Sequence, residues 1–241
     1  MLFLFAEYST PLSVKEISRH FSIPLSTVYR YINVLESFGL IEKSNKRGCY
    51  QLTLKVLELG EIVRRNTNYI QIALPFMKSL AAKIKESVVL AALRGNFAIW
   101  VEKIDSDHTL KVSCEPGTVQ YLHAGASAKV IMAYLSEERQ REILRNVGMP
   151  RLTENTASDW NNLKAQLDRI KAEGVAVSSG EVDPGVTAVA SPIFKSNGEI
   201  WGSLSVVGPD HRLRGELLER AVKEVKMVAE EINAQIKRCG V

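Results

Sequence analysis

Little in this chain points to a chemistry of its own. Its three cysteines, Cys49, Cys114 and Cys239, lie far apart, with no CxxC spacing and no histidine pattern that would suggest zinc. They read as buried or incidental thiols of a reducing compartment, and neither a metal nor a cofactor is expected. Phosphate-cradling glycine loops are missing, since no GxGxxG or Walker sequence occurs. Nucleophile motifs of the SxxK or GxSxG kind are missing as well. No apolar run approaches a membrane span, and the opening LFLF is too short for a signal peptide and has no basic residue before it. A cytoplasmic protein with no membrane partner is therefore expected.

What remains is an ordinary globular composition, 46% apolar and 24% charged over 241 residues, enough for a small module and a medium one. The net charge of +4 matters through its placement. Residues 1 to 66 hold nine Lys/Arg against six Asp/Glu, so most of the basic surplus sits on the first module.

That module centres on Pro24 to Phe38, PLSTVYRYINVLESF. Val28, Tyr31, Ile32 and Leu35 recur at helical spacing and predict one apolar face, leaving Ser26, Thr27, Tyr29, Arg30 and Asn33 on the other sides. Hydroxyls and a guanidinium near a helix start suit phosphate oxygens and base edges of a major groove. Most amphipathic helices are only core elements, so the neighbours decide. Residues 2 to 7 predict a short first helix ended by Thr10 and Pro11. Ser13 and Glu16 form a capping box for a second helix with Val14, Ile17 and Phe21 inward. Gly39 stops the third helix, and a hairpin follows whose basic loop runs from Lys43 to Gly48, with Cys49 to Leu52 returning. This is the order of a winged helix-turn-helix, with Lys43, Lys46 and Arg47 on the wing beside the phosphate backbone of double-stranded DNA.

Thr53 predicts the cap of a helix to about Thr67 that carries more apolar surface (Leu54, Val56, Leu57, Leu59, Ile62, Val63) than a small module needs. Packing on a twin in a second subunit, or within the chain, would explain the excess. Beyond it a helix over 70 to 85, kinked or started at Pro75, leads into strands over Val88 to Leu93, Phe97 to Ile104 and Leu110 to Cys114. An apolar helix from about Ala126 to Leu135 and helices capped by Ser136 and Ser158 come next. Strands over Val175 to Ser179, Thr187 to Ile193 and Ile200 to Val207 precede a closing helix from Gly215 to Arg238. Helices and hairpins segregated in this way predict an α+β domain on an antiparallel sheet.

Three blocks carry a resemblance that spans nearly the whole chain: LSVKEISRHFSIPLSTVYRYINVLESFGLIEK with GCYQLTLKVLELG, then LHAGASAKVIMAYL, then GVAVSSGEVDPGVTAVASPIF with GSLSVVGP. In that order they resemble the isocitrate lyase regulator (IclR) family of bacterial transcription factors. The resemblance implies a winged helix-turn-helix domain over 1–52, a linker and dimerisation helix over 53–67, and a GAF-like effector domain over 68–241. It implies a homodimer or homotetramer on a DNA operator, tuned by a small-molecule effector such as an organic acid or aromatic compound. It puts Ser26, Thr27, Tyr29 and Arg30 at DNA, and Gly125, Ala126, Ser127, Ser178, Glu181, Ala188 and Ser205 around the effector pocket. The free N–H groups at the helix start after Gly125 would favour a carboxylate. The chain departs from the family at Ala188, often cysteine there, and at Ser178, often acidic, which favours a larger or more apolar effector. The family's first helix also begins well before the position matched by Met1, so either the start is misassigned or this helix is shortened.

Two other readings compete with an effector-responsive regulator. His123 and Ser127 lie four apart near the pocket loop and could serve a small-metabolite enzyme, though no acid is placed to orient the histidine. Alternatively, the second domain only oligomerises.

Overall fold

The computed structural model describes residues 1–240 other than Ser9, Leu110 and Cys114. It divides into two compact units, Met1–Asn66 and Thr67–Val241.

The first unit runs α1 (Leu4–Glu7), β1 (Leu12–Ser13), α2 (Val14–Phe21), α3 (Leu25–Ser37), β2 (Ile41–Lys43), β3 (Cys49–Leu52) and α4 (Leu54–Asn66). The capping box forms as expected: Glu16 N–H donates to Ser13 Oγ at 3.3 Å, and Ser13 N–H donates to Glu16 Oε2 at 2.7 Å. Gly39 takes the left-handed conformation (φ 68°) that ends α3. The wing gains a strand that the sequence reading lacks, because Leu12–Ser13 pairs with Cys49–Tyr50 and makes the order β1-β3-β2. Lys43 closes β2 and does not belong to the loop. Leu4, Phe5, Ile17, Val28, Ile32 and Ile41 form the buried core.

Two expected core residues lie outside it. Tyr31 is 47% exposed, because Val28, Ile32 and Leu35 already span the small core and leave the phenol at the rim. Phe21 is also exposed, at the last residue of α2 where the chain reverses at Ser22 (φ 52°).

The second unit begins with α5 (Asn68–Ile84), which continues through Pro75 and starts well before it. Then come β4 (Ser87–Arg94), β5 (Phe97–Ile104), β6 (Val119–Tyr121), α6 (Ala126–Ala133), α7 (Glu137–Val147) and α8 (Trp160–Glu173). Next are β7 (Ala176–Ser179), β8 (Val186–Phe194), β9 (Ile200–Pro209) and α9 (Gly215–Cys239). The strands form one antiparallel sheet in the order β6-β5-β4-β9-β8-β7. Strand alternation sends Val88, Leu90, Leu204 and Val206 to the face under α5 and α9, and Val89, Ala91, Ala190 and Val207 to the face under α6, α7 and α8. This is the α+β architecture on an antiparallel sheet that the pattern predicts.

The ends of the expected strand over Leu110 to Cys114 lie outside the described residues. Lys111–Ser113 between them has no regular structure, and β6 is the strand that pairs with β5. The cap of α8 is Asp159, whose Oδ1 accepts from Asn162 N–H at 2.9 Å, and not Ser158. Ser136 caps α7 as expected, accepting from Arg139 N–H at 3.2 Å. All eight residues of α6 are buried, held between the sheet and α8.

Candidate nucleic-acid interface and ligand cavity

Helix α3 buries Val28 and Ile32 and turns Ser26, Tyr29, Arg30 and Asn33 to the outside; Thr27 is half-buried beside them. These four exposed residues recur at three- and four-residue intervals, so they share one face. The Arg30 guanidinium stands 5.6 Å from the centre of the Tyr31 ring, a cation–π contact that restricts where the charge sits. On the wing, Ser44 Oγ donates to Lys46 O at 3.2 Å and accepts from Lys46 N–H at 3.1 Å, while Gly48 supplies the positive φ (73°) of the turn. Lys43, Lys46 and Arg47 are exposed. The first unit thus presents a polar helix face and a basic hairpin.

Helix α4 buries none of its residues; Leu54 is 83% exposed and Leu57, Ile62 and Val63 more than half. Its start is fastened to the end of α3: Thr53 Oγ1 donates to Gly39 O at 2.5 Å and Lys55 Nζ to Phe38 O at 2.8 Å. The lysine places a cation at the negative end of α3.

In the second unit, Gly125, Ala126, Ser127, Ser178, Glu181 and Ala188 come together around a cavity of about 40 Å³. Ser178, Ala188 and Val207 are side by side in register across β7, β8 and β9, and form its floor. Trp100 closes one side, its Nε1–H donating to Gln120 Oε1 at 3.1 Å. Ser205 stands behind the wall, fully buried, accepting from Ser127 Oγ at 2.9 Å and donating to Val89 O at 3.2 Å. It is a support for Ser127, not a lining residue.

The helix-start N–H groups are already used, which corrects the expectation that they are free for a carboxylate. Gly125 N–H donates to Glu181 Oε2 at 3.0 Å and Ala126 N–H to Ser178 Oγ at 2.9 Å. Glu181 Oε1 meets the Lys129 ammonium at 2.5 Å, and Lys129 also donates to Gln166 Oε1 at 2.7 Å. Lys129 is 2% exposed. Burial pushes its ammonium below the ordinary lysine value, opposed by the Glu181 charge. Thr156 and Thr153 fix the loop by donating to Glu181 O and Gly180 O, each at 2.6 Å. A Cβ on Gly125 would meet Val182 Cγ2 at 3.0 Å, so only glycine (φ 81°) allows this closeness. Sequence reasoning missed Lys129, although a lone cation in the apolar run of α6 is the mark of a buried ion pair.

The His123 and Ser127 pair does not assemble a nucleophile. His123 Nε2 lies 3.0 Å from Pro150 O and the Ser127 hydroxyl is donated to Ser205, so no base stands against it.

A winged helix with an outward polar and basic face, followed by an α+β domain around a small cavity, defines the architecture of a two-domain DNA-binding regulator. The chain belongs to the IclR family: residues 62–234 match the bacterial transcriptional regulator IclR C-terminal family and residues 1–44 the IclR helix-turn-helix domain. It is a DNA-binding transcriptional regulator of IclR type and not an enzyme. It is 29% identical over 225 residues to the HTH-type transcriptional regulator KdgR of Escherichia coli (strain K12), covering 93% of this chain and 86% of that protein. Among solved structures, it is similar to Thermotoga maritima IclR, with a TM-score of 0.74 and 28% identity over 98% of this chain and 95% of that one. A regulator from Silicibacter sp. TM1040 shares the fold, with a TM-score of 0.85 at 21% identity over 98% and 94% of the two chains. No described helix is long and apolar enough to cross a membrane.

His123 yields a pH prediction. Its Nδ1 is buried without a partner, and burial pushes the imidazole below its ordinary 6.5 despite the Pro150 carbonyl and the Glu181 charge. The unfolded chain then takes up the proton more readily than the folded one, so stability is complete above 6.5 and declines as pH falls from that value. Urea unfolding of wild type and His123→Gln between pH 8 and about 5 should show the decline in wild type and a flatter curve in the variant. Parallel curves would remove His123 from the acid response.

Proposed function

We propose that this chain is an effector-responsive regulator that binds a pseudo-palindromic operator as a homodimer or homotetramer and controls a catabolic operon. In this reading residues 1–52 hold the DNA, 53–67 form the linker and dimerisation helix, and 68–241 take a small molecule. The single observation that carries it is the outward face of α3, with Ser26, Tyr29, Arg30 and Asn33 beside a wing bearing Lys43, Lys46 and Arg47. Arg30 suits the bidentate reading of a base edge and the wing cations suit phosphates. A partner of this kind places the protein in the bacterial cytoplasm, where the DNA is.

The apolar surface of α4 is the surface we assign to a second copy, which would set two recognition helices one helical turn of DNA apart. Thr53 and Lys55 tie α4 to the end of α3, so a shift in α4 would be carried to the reading helix. An effector then works by population shift, favouring one arrangement of the linker helices. The outer end of the cavity shares Val112, Asp183 and Val186 with a groove of about 530 Å³, room for the bulk of such a molecule. A second domain that only oligomerises is the other reading, favoured by the filled helix start; under it no small molecule changes operator affinity.

Three measurements test these assignments. In operator-binding titrations, Arg30→Ala should cost about 1–3 kcal/mol and relax specificity, whereas Lys46→Ala should weaken all sequences alike and lower the salt slope by about one. Equal operator affinity in Arg30→Ala would take that residue out of the interface. Leu57→Glu should turn the assembly into monomer in sedimentation, and an unchanged mass would move the subunit contact elsewhere. Operator affinity measured across a panel of organic acids, sugars and aromatic catabolites should change with at least one class, while a flat response throughout selects the oligomerisation reading.

A further inference from the structure

Tyr31 stands on the flank of α3, between the buried stripe of Val28, Ile32 and Leu35 and the outward face of Ser26, Tyr29, Arg30 and Asn33. Its side chain is 47% exposed, so a ring at a position suited to the core is left largely in water. It has one partner there, the Arg30 guanidinium, 5.6 Å from the ring centre. Apart from that contact the guanidinium makes no hydrogen bond or ion pair among the described residues. A second arginine over a ring is placed differently. Arg141 lies 4.4 Å from the centre of the Trp160 ring and also meets Glu137 Oε1 through Nε and Nη2, each at 2.9 Å. Arg141 is thus a tie between α7 and α8 with donors committed, whereas Arg30 is held through its charge alone and keeps its N–H donors unspent.

An arginine on an open helix face samples many rotamers, and a bidentate contact to a base edge selects a small set of them. A ring contact that consumes no donor narrows the set before DNA arrives, which lowers the ordering cost of that contact. Phosphate contacts need charge more than direction and gain less from the narrowing. We propose that Tyr31 is a positioning residue for Arg30, its ring holding the guanidinium with the donors free, so that Tyr31 sets sequence selectivity without touching a base. This rests on the reading of α3 as the helix that meets DNA.

The full chain is titrated by fluorescence anisotropy, at one salt concentration, with a duplex that the wild type selects from a random library and with an unrelated duplex of equal length. Tyr31→Phe should keep the wild-type affinity for both. Tyr31→Leu should weaken binding to the selected duplex by about two- to fivefold, the worth of an exposed cation–π contact, and leave the unrelated duplex unchanged. Tyr31→Gln, which also lacks the ring, should behave the same and carries the test if Tyr31→Leu is unfolded. Unfolding of both would make the ring structural, and the proposal would fall. In the Arg30→Ala background Tyr31→Leu should change nothing, since the ring acts only through the guanidinium. An equal loss in Tyr31→Phe would put the phenol hydroxyl on the DNA, and a loss that persists without Arg30 would mean a contact made by Tyr31 itself. Either result overturns the proposal, as does an equal loss on both duplexes or an unchanged affinity in Tyr31→Leu. Unchanged affinity of Arg30→Ala for the selected duplex would remove the reading of Arg30 on which the proposal rests. A loss there beside a neutral Tyr31→Leu would remove the positioning role alone.

Discussion

The Lys129–Glu181 ion pair is the constraint around which the second domain closes. An ammonium at 2% exposure has lost its water and must be matched by charge and hydrogen bonds; breaking such a pair from one side costs roughly 3–5 kcal/mol. The match is reached only when the β7–β8 loop lies against the start of α6, because Lys129 is on the helix and Glu181 on the loop. Thr153 and Thr156 hold the loop from the other side, and Val182 rests on Gly125. The occupancy of the Gly125 N–H follows from that closure, while the floor of the cavity and the place of Ser178 follow from the register of β7, β8 and β9.

The first domain obeys a different constraint, scarcity of core. Few side chains are fully buried there, so α2 and α3 keep one face inside and leave the rest in water. The exposed face of α3 can therefore carry Ser26, Tyr29, Arg30 and Asn33 at no packing cost, and these are groups suited to a polar, anionic surface. Helix α4 is the extreme case, with no residue buried although Leu54, Val56, Leu57, Leu59, Ile62 and Val63 are apolar, and it is tied to the end of α3 by hydrogen bonds from Thr53 and Lys55. Exposed apolar surface of that kind is what an association surface looks like before its partner arrives.

Much of this was legible in the residue order. The Ser13–Glu16 capping box, the Gly39 stop, the β2–β3 wing and the turn at Gly95 each depend on residues within a few positions of one another, where spacing determines geometry. Periodicity failed where burial depends on how much core exists. Phe21 and Tyr31 sit near the inward side of their helices, yet the small core ends before reaching either. The cap of α8 slipped by one residue because Ser158 and Asp159 are both able cap formers, and the hydrogen bond to Asn162 selects the aspartate.

Residue order alone sets the helices, the winged-helix order and the polar face of α3, because these arise from local chemistry and short-range periodicity; the short strands β1 and β6 exist only through their pairing with β3 and β5. Tertiary structure alone decided the character of the cavity. Gly125 and Glu181 are 56 residues apart, and no local pattern says that the carboxylate of one will take the N–H of the other. It likewise withdrew Ser205 from the wall and placed Trp100 and Lys129 at the site, since which groups meet across a sheet depends on register and helix docking.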